Sequence, residues 1–158
     1  MDEAEYGEEK QNNDDSEEDG GGNEDSVYDP FAKEKFPDAD MQKCWLILGK
    51  LYYHYEVTDF LYPVTLDTFG DDKAYEEYCG VVENPMDIST IMAKIRGQMY
   101  TSKYQFKRDV MLIFDNCREF NEAGTEIVHC ADSLTIEFNG LWQEFDMSNW
   151  RASKIMTS

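Results

Sequence analysis

The fold of this chain is decided by one stretch, Asn84-Pro85-Met86-Asp87-Ile88-Ser89-Thr90-Ile91. Pro85 disfavours helical backbone at the residue before it, so a new element begins here. Asp87 is a residue type that caps helix N-termini, and apolar residues follow it at helical spacing: Ile88, Ile91, Met92 and Ile95. The pattern predicts a short helix that Asp87 caps and Gly97 ends.

Two longer amphipathic segments follow this helix. Thr101 or Ser102 caps the first, whose apolar face recurs every three or four residues: Phe106, Val110, Ile113, Cys117 and Phe120. A break at residues 121–124 precedes the second segment, with the apolar face Ile127, Ala131, Leu134, Phe138, Leu141 and Phe145. Since the connections are short, we expect the last three helices to pack as antiparallel neighbours.

Toward the N-terminus, another helix is predicted to begin near Asp38 or Asp40 and to run to about Val57. Its apolar face is Met41, Trp45, Leu48, Tyr52 and Tyr55. Residues 58–85 show no sustained period and are too apolar for a connection alone, so we expect this long loop to line or cover something. The fold class predicted is all-α, an antiparallel four-helix bundle with a long apolar loop between helices 1 and 2.

The net charge of the chain is -20, and it is unevenly distributed. Residues 1–29 hold 13 of the 34 acidic residues and a single lysine, with almost nothing to bury. Such a segment is predicted to be disordered. The predicted domain organisation is an acidic tail over residues 1–37, a globular domain over 38–146 and a C-terminal tail over 147–158.

Composition and charge exclude several classes of function. The negative field opposes direct binding of nucleic acid and favours basic protein partners. No apolar run reaches membrane-spanning length. The four cysteines are interpreted as buried free thiols in a reducing compartment. Cys117, His129 and Cys130 offer no fourth ligand for zinc, and no catalytic constellation is visible, so neither a metal, a cofactor nor an enzyme is expected.

The stretch from Asn84 to Ile91 resembles the opening of the first short helix in the bromodomain family, an N-P-M-D-L-x-T-I run. The likeness continues through Tyr100-Thr101-Ser102 and Phe106. It ends at Asn116-Cys117-Arg118-Glu119-Phe120-Asn121, which resembles the family signature N-C-x-x-[YF]-N. The resemblance covers roughly residues 41–145, and its motifs are specific in this order and spacing.

The resemblance implies a binding site for the acetylated side chain of lysine. Asn121 matches the asparagine that donates to the acetyl carbonyl, and Tyr78, seven residues before Pro85, matches the tyrosine that reaches it through water. Phe60 and Val64 match an apolar pair on the long loop, and Ile127 matches the gatekeeper. The remaining residues assigned to the site are Phe120, where the family often has tyrosine, Val82 and Leu66.

This chain departs from the family pattern at the start of the long loop. Thr58-Asp59-Phe60 stands where the family often has Trp-Pro-Phe, so the tryptophan shelf is missing and an acidic side chain stands near the mouth. We therefore expect weak binding of the peptide and a preference for basic residues beside the acetylated lysine. The loop is also longer than is common, and Gly70-Asp71-Asp72 is interpreted as an insertion tip.

The function expected from the resemblance is non-catalytic recognition of acetylated lysine on histone tails by a nuclear, monomeric chromatin reader. Its partners would be acetylated histone peptides and other chromatin proteins. Two alternatives stay open. One is a bromodomain-like scaffold that has lost acetyl-lysine binding and docks proteins through its surface. The other, from another class, is a small helical enzyme.

Overall fold

The computed structural model describes residues 27–145 and residue 147. The chain divides into two compact units, residues 1–34 and 35–158. Within the first, helix α1 spans Pro30–Lys33, and the Asp29 side chain caps it by accepting the Phe31 N–H at 3.1 Å. The predicted disorder of residues 1–29 falls almost wholly outside the described residues.

The second unit contains the four bundle helices that the sequence predicts: α2 (Ala39–Tyr52), α5 (Ile88–Arg96), α6 (Lys103–Phe120) and α7 (Glu126–Glu144). Helix α6 packs along α7, and α2 contacts α5, α6 and α7. Asp38 caps α2, Asp87 caps α5, and Gly97 follows the end of α5. Among the described residues there are no strands, and the fold is the expected all-helical bundle.

The long connection between α2 and α5 is more ordered than the sequence analysis expected. It contains a 3₁₀ turn at Thr58–Phe60 and two helices, α3 (Leu66–Phe69) and α4 (Asp72–Val81). Gly70, with φ +66°, ends α3, and the Asp71 side chain caps α4, so the supposed insertion tip is a helix–helix junction. The helices within this connection were not predicted, because neither α3 nor α4 has a fully buried residue and so neither carries a core-facing stripe.

Helix α2 ends five residues before the predicted Val57. Its last turn tightens when the His54 N–H donates to the Leu51 carbonyl at 3.0 Å, and the His54 Nδ1 then accepts the Glu56 N–H at 3.1 Å. These local bonds replace the helical ones, so the chain turns away. Tyr55, predicted on the buried face, is consequently 85 % exposed.

The core lies between the four bundle helices, and its largest fully buried side chains include Trp45, Phe106, Phe114 and Phe138. Met147, one residue beyond the predicted domain end, is also fully buried. All four cysteines are free, and Cys44 and Cys117 are buried as predicted. Cys79 is exposed and Cys130 half-buried, which corrects the expectation for those two. None of the described helices has the length and apolar character needed to cross a membrane.

Candidate functional site

An open cavity lies at the end of the bundle where α6 ends and the long connection begins. It brings together five of the eight residues assigned from the sequence: Phe60, Val64, Tyr78, Asn121 and Ile127. These residues come from the 3₁₀ turn, the chain after it, α4, the end of α6 and the first turn of α7. The remaining lining residues are Asp59, Tyr62, Met86, Ile113, Asn116 and Cys117.

Asn121 terminates α6 with extended backbone, and its half-buried side chain projects into this cavity. The Asn121 Nδ2 donates to the Cys117 carbonyl oxygen at 3.0 Å, which orients the carboxamide. The Cys117 Sγ lies 3.7 Å from the same nitrogen. A thiol is a weak acceptor. The second hydrogen of the Asn121 amide therefore has no strong protein partner in this contact and is available to a ligand carbonyl.

The long connection is fastened to the bundle on both sides of the cavity. Asn116 donates its Nδ2 hydrogen to the Asn84 carbonyl at 2.8 Å, and the Ser89 N–H donates to the Leu61 carbonyl at 2.9 Å. Buried Asp87 also accepts hydrogen bonds from Ser89 and from the Thr90 hydroxyl and N–H. These hydrogen bonds fix the walls of the cavity in the unliganded protein, so the binding of a ligand costs less conformational entropy.

Aromatic contacts position the apolar walls. Phe60, 6 % exposed, packs edge-on against Phe114 of α6 with ring centroids 5.6 Å apart. Tyr78 packs edge-on against Phe120 at 5.1 Å, and Phe69 lies 5.8 Å from Tyr78 and 5.9 Å from Phe120. Two separate aromatic clusters thus support the floor residue Phe60 and the polar residue Tyr78.

Both titratable groups that lie deep in the cavity are held neutral. Burial raises the pKa of the Tyr78 hydroxyl, and neighbouring Cys79 raises it further. Burial likewise raises the pKa of the Cys117 thiol. The Tyr78 hydroxyl therefore remains a hydrogen-bond donor at neutral pH, and the interior of the cavity suits a neutral ligand.

Three of the residues assigned from the sequence do not line the cavity. Leu66 begins α3 and is 44 % exposed, because the start of this helix points its side chain to solvent. Val82, which follows α4, is buried and packs as a core residue. Phe120 lies behind Tyr78 and contributes through the ring contact described above.

Several residues that line the cavity were not predicted from the sequence. Ile113, Asn116 and Cys117 lie on the α6 face that also supplies the core. The apolar period of α6 therefore predicted Ile113 and Cys117 as core residues and gave no sign that they line a cavity. Tyr62 gave no signal because it stands in a segment without a period, yet it lines the mouth and is 63 % exposed. Asp59 was expected near the mouth and lines the cavity.

The arrangement combines one oriented carboxamide donor, one neutral phenol and apolar walls. A secondary amide at the tip of an aliphatic stem suits these groups, since its carbonyl accepts a hydrogen bond and its stem displaces water from apolar surface. No group of three or more potential metal ligands occurs within residues 27–145 and 147.

Comparison with known proteins gives a consistent result. The Bromodomain family model matches residues 44–133, more than half of the chain. The bromodomain adjacent to zinc finger domain protein 2A of Mus musculus is 33 % identical over 107 residues, which is 68 % of this chain. The SWR1 complex bromodomain subunit bdf1 of Schizosaccharomyces pombe is 30 % identical over 107 residues, or 67 % of this chain.

A plant relative extends the comparison. Transcription factor GTE3, chloroplastic, of Arabidopsis thaliana is 29 % identical over 111 residues, 70 % of this chain. The matched segment is only 5 % of the Mus musculus protein, 18 % of the yeast protein and 23 % of the plant protein. The similarity therefore concerns one domain of much longer proteins.

Proposed function

The chain belongs to the bromodomain family of acetyl-lysine reader modules, and from this premise we propose that its cavity binds acetylated lysine on histone tails. The observation that carries the proposal is Asn121, whose carboxamide is oriented by Cys117 and directed into an apolar cavity. In the complex, the free amide hydrogen of Asn121 donates to the acetyl carbonyl. Tyr78 reaches the same carbonyl through a water molecule.

Discrimination against unmodified lysine follows from solvation. The walls that would surround the lysine stem include Phe60, Val64 and Ile127. An ammonium group in this cavity would lose its water and face the Asn121 and Tyr78 donors, and burying an unpaired charge costs far more than burying a neutral amide. An acetyl amide loses less solvation and satisfies those donors. The site thus selects acetyl-lysine as much by rejecting charge as by binding the amide.

Recognition leaves the acetyl group unchanged, because bromodomains are reader modules and the binding groups named here only hold the amide. The partners proposed are acetylated histone tails and other chromatin proteins, with the domain acting as a monomer. The yeast relative is named as a subunit of the SWR1 complex. We propose a nuclear location; the word chloroplastic in the name of the plant relative points to the alternative.

The test is a calorimetric titration with a histone-tail peptide that carries one acetyl-lysine, and with its unmodified twin. We expect binding of the acetylated peptide in the micromolar range, about -8 kcal/mol or weaker. Asn121→Ala should abolish that binding. Asn139→Ala, which removes the same side chain from an exposed position of α7, should leave it unchanged.

Equal binding of the two peptides would contradict the proposal. It would favour the alternative of a bromodomain-like scaffold that docks proteins through its surface. The missing tryptophan at the start of the long connection is the feature that makes this alternative worth testing.

A further inference from the structure

We infer that the mouth of the cavity contains a second subsite, formed by Asp59 and Tyr62, which binds an arginine side chain close to the acetyl-lysine. This inference rests on the proposed function and names the class of peptide that the same site selects. It assigns a role to Tyr62, an exposed aromatic residue that lines the cavity.

Asp59 and Tyr62 have the exposure expected of a recognition surface. Both line the same cavity as Asn121, and both are exposed, Tyr62 by 63 %. Within residues 27–145 and 147, the side chains of Asp59 and Tyr62 make no hydrogen bond, ion pair or ring contact. The carboxylate and the ring face are therefore available to a ligand.

The backbone that carries these two residues is rigidly held. Phe60 and Leu61, which lie between them, are fastened by the Phe60–Phe114 ring contact and by the Ser89 N–H bond to the Leu61 carbonyl. Asp59 and Tyr62 thus flank an anchored segment. A ligand group that contacts both residues would therefore order little of the protein backbone. Exposed groups add to the binding free energy only when this entropic cost is small.

The electrostatic surroundings of the mouth favour a cation. Burial raises the pKa of Cys130, and the carboxylates of Glu56, Asp59 and Glu126 raise it further, so the three acids act on one region. Two basic side chains lie in the surrounding region. Arg118 acts on the Cys117 thiol but is paired with Asp115 and Asp132, and the imidazole of His129 lies 3.8 Å from Glu56. Among residues 27–145 and 147, no lysine or arginine lines the cavity, so a cation meets no positive charge on these walls.

Arginine suits this pair of groups better than lysine does. Its planar guanidinium stacks on an aromatic face and donates two hydrogen bonds to one carboxylate at the same time. Lysine carries a compact, strongly hydrated charge, which loses more solvation on contact with a ring. The inferred ligand is therefore an acetyl-lysine with arginine within two residues of it.

The experiment measures affinities for two acetylated peptides that differ only in arginine or its neutral isostere citrulline at the flanking positions. With the unaltered protein, we expect the arginine peptide to bind about threefold to tenfold more tightly. Asp59→Asn and Tyr62→Leu should each reduce this ratio toward one. Because both peptides carry the same acetyl-lysine, the ratio of their affinities cancels any effect that either substitution has on the acetyl-lysine pocket itself.

Two matched variants serve as controls. Tyr62→Phe keeps the ring face and should retain the ratio. Asp40→Asn makes the same charge change at the far end of α2 and should also retain it. A ratio of one in the unaltered protein, or a ratio unchanged in both Asp59→Asn and Tyr62→Leu, overturns the inference alone. Equal binding of an unacetylated arginine peptide overturns the proposed function and, with it, the pairing of arginine with acetyl-lysine.

Discussion

At the scale of single residues, Asn116 in α6 and Asn121 at its C-terminal end have different roles although they lie only five positions apart. Asn116 is 7 % exposed, and its side chain reaches across to the Asn84 carbonyl, 32 positions away in sequence. Asn121 is half-buried, and among the residues that the structure describes its side chain bonds only to Cys117 of its own helix. The first side chain joins two elements, whereas the second is oriented locally and faces the cavity.

This contrast predicts different effects on stability. Asn116→Ala removes the hydrogen bond to Asn84 and should lower the free energy of unfolding by about 1–2 kcal/mol. Asn121→Ala should lower it by less than about 1 kcal/mol, because the Cys117 carbonyl still accepts the Asn121 backbone N–H. Urea unfolding of both variants checks this. Equal losses would show that Asn121 is as much a structural residue as Asn116.

At the scale of elements, the long connection is a chain of short helices whose junctions depend on single residues. Helix α3 is only four residues long and ends at Gly70 with left-handed backbone, φ +66°. Asp71 then begins α4 at once by accepting the Lys73 N–H at 3.3 Å. The turn between α3 and α4 brings Phe69 onto Tyr78, so its geometry supports one wall of the site.

Two glycines test this interpretation as a matched pair, since a Cβ at either meets no atom within 4 Å. Gly70→Ala should destabilise the protein by about 1–2 kcal/mol, because alanine avoids left-handed backbone. Gly140→Ala, within α7, should stabilise it by about 0.5–1 kcal/mol. Thermal unfolding of both variants measures the difference, and a neutral Gly70→Ala would mean that the α3–α4 junction adapts.

At the scale of the whole molecule, the net charge of -20 is the dominant electrostatic property. Basic peptides are attracted to such a molecule before any specific contact forms. The binding proposed above should therefore weaken with salt. We expect a loss of about threefold to tenfold for a basic acetylated peptide between about 50 mM and 500 mM NaCl. A citrulline peptide of lower charge should lose less, and salt-independent binding of the basic peptide would contradict this electrostatic account.

Alkaline pH should destabilise the whole fold. Burial raises the pKa of the Cys44 thiol, and the Asp40 carboxylate raises it further. Burial also raises the pKa of the Cys117 thiol. The pKa of the Tyr100 hydroxyl is raised by burial and by its hydrogen bond to Asp109. Above the ordinary pKa values of 9.0 for cysteine and 10.0 for tyrosine, the unfolded chain releases these protons while the folded chain retains them. Stability is then fully present below about pH 9 and falls as pH rises.

The measurement is urea unfolding at pH 7.5 and at pH 10 in the presence of a reductant. Cys44→Val removes one of the retained protons at a fully buried position, so its stability should depend less steeply on pH. An identical pH dependence in this variant would contradict the assignment to Cys44.

The four bundle helices could be predicted from the sequence because each carries an apolar stripe of four to six residues at regular spacing, as Phe106, Val110 and Ile113 do in α6. Their caps were also predictable, since Asp38 and Asp87 act through bonds within a few residues. Helix α4 was not predicted, and α2 ends earlier than predicted, because the local sequence pattern is weak in both places.

Sequence alone determined the helical bundle, the bromodomain resemblance and the candidate roles of Asn121 and Tyr78, because these depend on local spacing and on motifs. Only the tertiary structure decided which side chains share the cavity: Tyr62 and Cys117 line it, whereas Leu66, Val82 and Phe120 do not. The physical reason is that a cavity wall is assembled from segments far apart in sequence. Contacts such as Asn116–Asn84 and Phe60–Phe114 set their relative positions, and no local pattern encodes those contacts.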